Sequence, residues 1–328
     1  MTRSLTYELL AWYAVHGRDM PWRVKGGAHS DPYAVWISEI MLQQTTVKTV
    51  VAYFKRWMKR FPTLKSLARA DIHDVLLMWQ GLGYYTRAKK LHECAQVLTS
   101  RYNGVFPHSR DELLKLPGIG PYTASSICCF AFNQPETVVD GNVIRVLARV
   151  YGLTHAVTKE EIYALAQKLT PKDHGADYAS AIMDLGATIC TPSSPLCPQC
   201  PWQKSCVAYR KGLTEQIPLI QKPAKKERRG TVYVIQNKAG AYYIRKRAGK
   251  GLLSGLYEFP WVYDGEPPLF PGRAIGQVAH VFTHFKLTLN VVRVRRDDAD
   301  LGGDFVAVKD FKKYPFPTLM NRVMKMIE

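Results

Sequence analysis

Between residues 190 and 206 the chain sets four cysteines in the pattern Cys190-x6-Cys197-x2-Cys200-x5-Cys206, with prolines at 192, 195, 198 and 201. Proline fixes φ and lacks an amide proton, so this segment cannot be a regular helix and must be a loop. A loop so short can wrap its thiols around one centre. In a reducing compartment such a cluster reads as a metal site rather than a disulfide framework, and the odd total of seven cysteines agrees. Tetrahedral thiolate donors suit zinc or an iron–sulfur cluster, and spacing alone does not choose between them. Cys94, Cys128 and Cys129 lie in helical patterns and read as small core residues.

Upstream of the loop, to about Leu185, the periodicity is almost wholly helical. Residues 31–44, 109–116 and 121–130 carry apolar side chains three and four apart. Asp31-Pro32 places a capping carboxylate before a proline at the first helical position. Ser109, with Glu112 three residues on, reads as a capping box. Leu5, Leu9, Trp12 and Tyr13 mark a first helix rather than a leader peptide.

Downstream the composition shifts. Residues 221–230, QKPAKKERRG, suit an exposed basic linker. The period then becomes two: residues 231–236 and 241–247 flank a turn at Gly240, as in a hairpin. Phe285, Leu287, Leu289 and Val291 alternate with polar residues, and residues 317–327 return to helix. The expectation is a mostly α N-terminal part over residues 1–221, a basic linker at 222–230, and a small α+β domain over 231–328.

Lys and Arg outnumber Asp and Glu by 45 to 27, a formal charge of +18. So much positive charge calls for a polyanionic partner, and nucleic acid is the commonest. No stretch approaches the roughly 20 apolar residues of a membrane span. A soluble, intracellular protein without membrane contact is expected.

Two further segments bear on chemistry. Leu116-Pro117-Gly118-Ile119-Gly120 turns between two helical stretches, where Gly118 and Gly120 let the backbone approach a ligand and leave amides free for phosphate. Asp140, in VVDGNV, precedes another helix, and its plainest role is an N-cap. Together, LPGIGPYTA, VVDGNVIRVLAR and the cysteine loop resemble the helix-hairpin-helix, catalytic aspartate and cluster loop of the endonuclease III superfamily of DNA glycosylases. That resemblance implies a helix-hairpin-helix glycosylase fold and a [4Fe–4S] cluster on Cys190, Cys197, Cys200 and Cys206.

In the bifunctional branch of that superfamily a hairpin lysine forms a Schiff base. Tyr122 stands at that position here and cannot. With DPYAVWISEIMLQQT (31–45), GLGYYTRAKKLH (81–92) and MDLGATIC (183–190), the chain is similar to the adenine-specific, MutY-type branch, nearly continuously from Leu5 to Cys206. The segment 24–30 is longer than usual there.

Glu39 carries the chemistry in this reading. Its helical neighbours at three and four residues, Val35, Trp36, Leu42 and Gln43, would desolvate its carboxyl and raise its pKa. The resemblance implies that Glu39 protonates a flipped adenine at N7 while Asp140 stabilises the oxocarbenium-like sugar. Tyr122 and Asn142 would assist, and Arg18, Trp22 and Asp184 would line the adenine pocket. Gln44, Thr45, Leu82 and Tyr84 would enter the duplex or meet the base opposite.

The C-terminal part resembles a Nudix-like domain, marked by GLLSGLYEFP at 251–260. No glutamate-studded helix follows Pro260 to hold Mg²⁺, so recognition rather than pyrophosphate hydrolysis is expected. Phe282-Thr283-His284 matches the segment that reads 8-oxoguanine, with Thr283 where serine is usual.

The reading is therefore a monomeric adenine glycosylase acting on double-stranded DNA with adenine opposite 8-oxoguanine or guanine. It would work in the cytoplasm, nucleoid-associated in a bacterium, or elsewhere inside a cell. Three alternatives stay open. A thymine-glycol type glycosylase/lyase is disfavoured by Tyr122 and the extra domain. A redox-sensing iron–sulfur protein that only binds DNA would leave Glu39 and Asp140 without purpose. A Nudix hydrolase with a DNA-binding extension lacks its glutamates.

Overall fold

The computed structural model describes residues 2–24, 30–219, 224–249 and 251–327. Most of the long segment at 24–30, and the expected boundary at 221/222, lie outside the described residues. Contacts group the chain into two compact units, residues 1–69 with 93–222, and residues 70–92 with 223–328.

The first unit is helical. It opens with α1 (Thr2–His16), α2 (Pro32–Leu42), α3 (Val47–Arg60) and α4 (Leu64–Ala68). The chain then forms α5 (Ile72–Trp79) and the start of α6 (Thr86–Arg101) in the second unit. It continues with α7 (Arg110–Leu114), α8 (Pro121–Phe132), α9 (Gly141–Tyr151), α10 (Lys159–Leu169), α11 (Gly175–Thr188) and α12 (Val207–Arg210). α2 starts as its sequence dictates: the Asp31 carboxylate accepts from the Tyr33 and Ala34 amides, each at 3.2 Å, and Pro32 fills the first turn. Nearly all of α2 is buried, including Glu39. An all-round apolar helix is a core helix, so any polar group it carries lies inside the unit.

α9 is built differently. Asp140 caps it, accepting from the Val143 amide at 2.8 Å. Gly152 ends it at φ 68°, with the Leu153 amide donating to the Ala148 carbonyl at 2.9 Å in a Schellman arrangement. The capping box expected at α7 does not form. Ser109 makes no side-chain cap bond, and the Glu112 carboxylate accepts instead from Lys115 and from the Tyr102 hydroxyl.

One core joins Leu5 and Leu9 of α1, Leu147 of α9, Leu185 of α11 and Trp202 of the cysteine loop. The Trp202 indole donates to the Leu5 carbonyl at 2.8 Å. Burying each such side chain contributes about 1.5–3 kcal/mol, so the cysteine loop is tied into the helical core. Cys94, Cys128 and Cys129 are fully buried, as expected.

The second unit is a sheet of β1 (Lys226–Gln236), β2 (Tyr242–Lys246), β3 (Tyr257–Glu258), β4 (Trp261–Tyr263), β5 (Arg273–Val281), β6 (Phe285–Arg295) and β7 (Gly303–Val306), followed by α13 (Thr318–Met324). Its order is β3-β2-β1-β6-β5, with β4 on β1 and β7 on β2. β1 runs parallel to β6 from Lys226↔Phe285 to Gln236↔Arg295. The linker reading of 222–230 is corrected here: residues 226–230 are the first half of β1. The exposed side chains of residues 226–229 produce the linker-like composition, while the backbone of 226–230 is paired to β6.

The hairpin at Gly240 forms, with φ 79° at that glycine. Leu287, Leu289 and Val291 are the buried face of β6. Among the described residues, no helix stands between β4 and β5. Residues 70–92, which the sequence division places in the helical part, group with the sheet. The Tyr85 hydroxyl donates to the Phe316 carbonyl at 3.2 Å, and the Lys89 ammonium to the Ser254 carbonyl at 2.5 Å. Among the described residues no helix is long and apolar enough to cross a membrane.

Candidate active site

The helical unit holds a cleft of about 1160 Å³ whose walls include Glu39, Tyr122, Asp140 and Asn142. Its centre is set by α2. Glu39 is 6% exposed. Burial pushes its carboxyl up to about 6. The Tyr122 and Ser126 hydroxyls and Arg23 pull it down, and Asp140 adds to the rise. Desolvation wins, so Glu39 holds a proton closer to neutrality than an exposed glutamate does. The Tyr122 phenol is hydrogen-bonded to Glu39, and burial with the two nearby carboxylates pushes its own pKa well up. Tyr122 is therefore a neutral donor.

Asp140 joins the helix to the cleft. One carboxylate oxygen caps α9 through Val143, and the other accepts from the Asn142 amide at 2.8 Å. The Asn142 carbonyl accepts from Arg145 at 2.9 Å. Arg145 also donates to the backbone carbonyls of Gly186 at 2.6 Å and Cys190 at 2.7 Å. The N-cap role and a role in the cleft are thus the same geometry.

Arg18 and Trp22 line the cleft, but Asp184 does not. It is fully buried behind the wall, accepting from Arg18 at 2.6 Å and from Arg23 at 2.9 Å. Burial works against its charge, yet Arg23 and Arg18 hold it below the usual carboxylate range. Its expected place in the pocket is corrected accordingly: Asp184 aims two guanidinium groups. Removing one partner of such a pair typically costs about 3–5 kcal/mol.

Gln44 and Thr45 line the same cleft, and Gln44 has φ 60°, a backbone strain that a non-glycine residue carries only where its surroundings impose it. Gly118 is exposed at φ 76°, and nothing stands within 4 Å of where a Cβ on Gly120 would point, so this hairpin is open.

In the second unit Tyr84 is also strained, at φ 46°, and is 46% exposed. Leu82, expected to touch DNA, is only 5% exposed and packs inward. Arg87 holds this turn, donating to the Leu82 and Gly83 carbonyls at 3.2 and 3.3 Å. Thr283 and His284 are the exposed tip of the β5–β6 hairpin, closed by the Phe282 amide on the Phe285 carbonyl at 2.8 Å. The Phe282 ring stacks on Phe285, and the Thr283 hydroxyl donates to the Tyr84 hydroxyl at 3.1 Å.

Cys190, Cys197, Cys200 and Cys206 line one small cavity with Arg149. Among the described residues no group of three His, Cys, Asp or Glu is placed to hold a single metal ion. Arg149 is 2% exposed. Its guanidinium donates to the carbonyls of Ile217, Thr191 and Pro192 at 2.6–3.0 Å and approaches the Cys190 sulfur at 3.4 Å.

Arg23, Ser126, Arg145 and Arg149 went unassigned in the sequence. Arg145 and Arg149 are four residues apart on α9, a spacing that reads equally as a solvated basic face.

Residues 37–172 match the family described as "HhH-GPD superfamily base excision DNA repair protein", and residues 231–326 match a NUDIX domain. The chain is 34% identical to the adenine DNA glycosylase of Mus musculus, over 98% of this chain and 77% of the relative. It is 35% identical to that of Homo sapiens, over 98% and 73%. The adenine DNA glycosylase of Buchnera aphidicola subsp. Baizongia pistaciae is 33% identical, over 89% and 86%. Among solved structures, a thermostable thymine-DNA glycosylase aligns with TM-score 0.59 at 29% identity, over 64% of this chain and 97% of that one. A non-covalent endonuclease III–DNA complex aligns with TM-score 0.54 at 25% identity, over 65% and 98%.

Proposed function

Since the chain belongs to the adenine DNA glycosylases of the HhH-GPD superfamily, we propose that its cleft hydrolyses the N-glycosidic bond of adenine mispaired with 8-oxoguanine or guanine. The protein excises adenine in base-excision repair. The observation that carries the mechanism is the pair of carboxyl groups in one cleft with different surroundings. Glu39 is desolvated and proton-holding, and Asp140 is satisfied by an amide at each oxygen.

The adenine has to leave the base stack, since its N7 must meet an acid at hydrogen-bond distance. Glu39 then protonates N7 and the base departs with its bonding electrons. Asp140 faces the positive charge that develops on the sugar, and a water molecule adds to the charged carbon and loses a proton, leaving a hydroxyl where the base was. Asn142 fixes the Asp140 carboxylate, and Tyr122 keeps Glu39 in place. Tyr122 offers no amine, so no Schiff base and no strong lyase activity is expected. Arg18 and Trp22 bound the base, with Asp184 steering Arg18 from behind the wall. Gln44, Thr45 and the strained Tyr84 meet the duplex, Gly118 and Gly120 meet its phosphates, and Phe282, Thr283 and His284 read the base opposite. A DNA substrate places the protein inside the cell.

Cys190, Cys197, Cys200 and Cys206 would hold a [4Fe–4S] cluster, which supplies a covalent cross-link to a loop too proline-rich to form secondary structure. The fit rests on four thiols lining one cavity beside a buried guanidinium that offsets thiolate charge.

Single-turnover release of adenine from duplexes bearing each of the possible opposing bases tests the proposal. Fastest release opposite 8-oxoguanine supports it; equal rates against all four ordinary bases would remove the mispair from the reading.

A further inference from the structure

Residues 40–70 carry seven basic residues (Lys48, Lys55, Arg56, Lys59, Arg60, Lys65 and Arg69) and no acidic one. On α3 three of them form a line. At about 100° per residue, Lys48, Lys55 and Lys59 fall on one stripe with Ala52, opposite the buried stripe of Val50, Phe54 and Trp57. The three lysines are exposed, and none pairs with a carboxylate among the described residues. Arg56 lies over the Tyr53 ring at 4.4 Å.

A merely solvated face mixes its charges, as α10 does with Lys159, Glu160, Glu161 and Lys168. α3 instead sets Lys55 against Lys59 and Arg56 against Arg60 four residues apart, which costs a few tenths of a kcal/mol per pair. Lys48 also stands in the first turn, where the helix dipole disfavours positive charge. The pattern is unfavourable for the isolated helix and favourable beside a polyanion. Its position supplies a direction. Val47 and Lys48 line the cleft, and the stripe leads away from that rim for about 16 Å, the axial length of eleven helical residues. At 3.4 Å per base pair that is roughly five base pairs.

We propose that the outer face of α3 is a phosphate track that holds one flank of the duplex where it leaves the cleft. This rests on the reading of the cleft as a DNA glycosylase site, and it adds an asymmetric footprint to it.

The test uses the full chain with Lys55→Gln and Lys59→Gln combined, two exposed residues outside the cleft. Affinity for a long mispaired duplex is measured against salt, beside single-turnover adenine release at saturating protein. Two lost phosphate contacts flatten the slope of log affinity against log salt by about 1.8 and weaken binding on the order of 30-fold at 0.15 M salt. The saturated release rate stays at the parent value. Lys55→Arg with Lys59→Arg keeps the parent slope. Repeating the titration on duplexes shortened on one side of the mispair or the other locates the track: shortening one flank erases the difference between parent and variant, and shortening the other preserves it. A variant with the parent's slope, or a difference indifferent to either flank, overturns the track. A parent that binds duplex with a steep salt slope but releases no adenine counts against the glycosylase reading and leaves the track standing.

Discussion

Gly186 on α11 and Asn142 on α9 stand so close that a methyl group added to Gly186 would lie 2.6 Å from the Asn142 Cβ. Because Asn142 donates to Asp140 and accepts from Arg145, this contact sets the orientation of a cleft carboxylate from a neighbouring helix. Gly186→Ala is expected to cost about 1–3 kcal/mol by overpacking and to slow adenine release more than Asn142→Ala does, because it displaces α9 as well as one amide. Thermal unfolding and single-turnover rates on the two variants check this; parental release by Gly186→Ala would show that the Asp140 geometry tolerates the shift.

Glu39→Gln keeps shape and loses the proton. Release should fall by about 10²–10⁴-fold with duplex binding retained. In the parent, release should decline as pH rises through about 6, where Glu39 loses its acid form. The same shift affects stability. The folded pKa of about 6 lies above the ordinary 4.5, so the folded chain holds a proton that the unfolded chain has released between those values. The Glu39 contribution is fully present below pH 4.5 and is lost as pH rises through 6, a swing of roughly 2 kcal/mol. Glu39→Gln should therefore match the parent near pH 4 and exceed it in stability at pH 7. Denaturant unfolding at the two pH values measures the swing, and equal curves at both would place the carboxylate in water.

Arg149→Leu should lose at least ~3 kcal/mol, since a buried cation spans three backbone carbonyls of the polypeptide around the cysteines. Iron per chain and absorbance near about 400 nm should fall with it. Arg149→Lys offers one compact ammonium for three acceptors and should recover only part of both. Full iron content in Arg149→Leu would mean that the four cysteines hold the loop unaided.

Thr283→Val removes a hydroxyl that contacts Tyr84 at 3.1 Å and keeps the shape of the hairpin tip. The preference for 8-oxoguanine over guanine should shrink by a factor of a few to tenfold, the worth of one hydrogen bond at about 0.5–1.5 kcal/mol. Competing duplexes in a single-turnover assay read the ratio directly. An unchanged ratio would take Thr283 out of recognition.

What could be read from sequence was local. The burial of Glu39 followed from its helical neighbours, and Asp140 from its place before α9, because both depend on residues within one turn. Arg23 on Asp184, and Arg149 on Ile217, join residues 161 and 68 apart, and no local pattern encodes such pairs. For that reason the sequence does not show that Asp184 stands buried behind Arg18 and Arg23 rather than on the cleft surface. At Ser109 the capping box loses its Glu112 half to competition, since Lys115 offers that carboxylate a charge where the helix offers only an amide. Residues 226–229 display solvent-facing side chains, so their composition reports exposure correctly while the partner strand lies some sixty residues ahead.

The sheet unit takes residues 70–92 from the interior of the chain and the rest from residues 223–328. During translation Tyr85 therefore emerges 231 residues ahead of Phe316, the residue whose carbonyl receives its hydroxyl. For that interval α5 has been made before Tyr257 and Tyr314, the rings that meet its His73, exist. A nascent chain in this condition presents a sticky surface to chaperones and a cleavable one to proteases until the partner segment arrives. The segment around Phe316 thus ends the vulnerability of a stretch made 231 residues earlier.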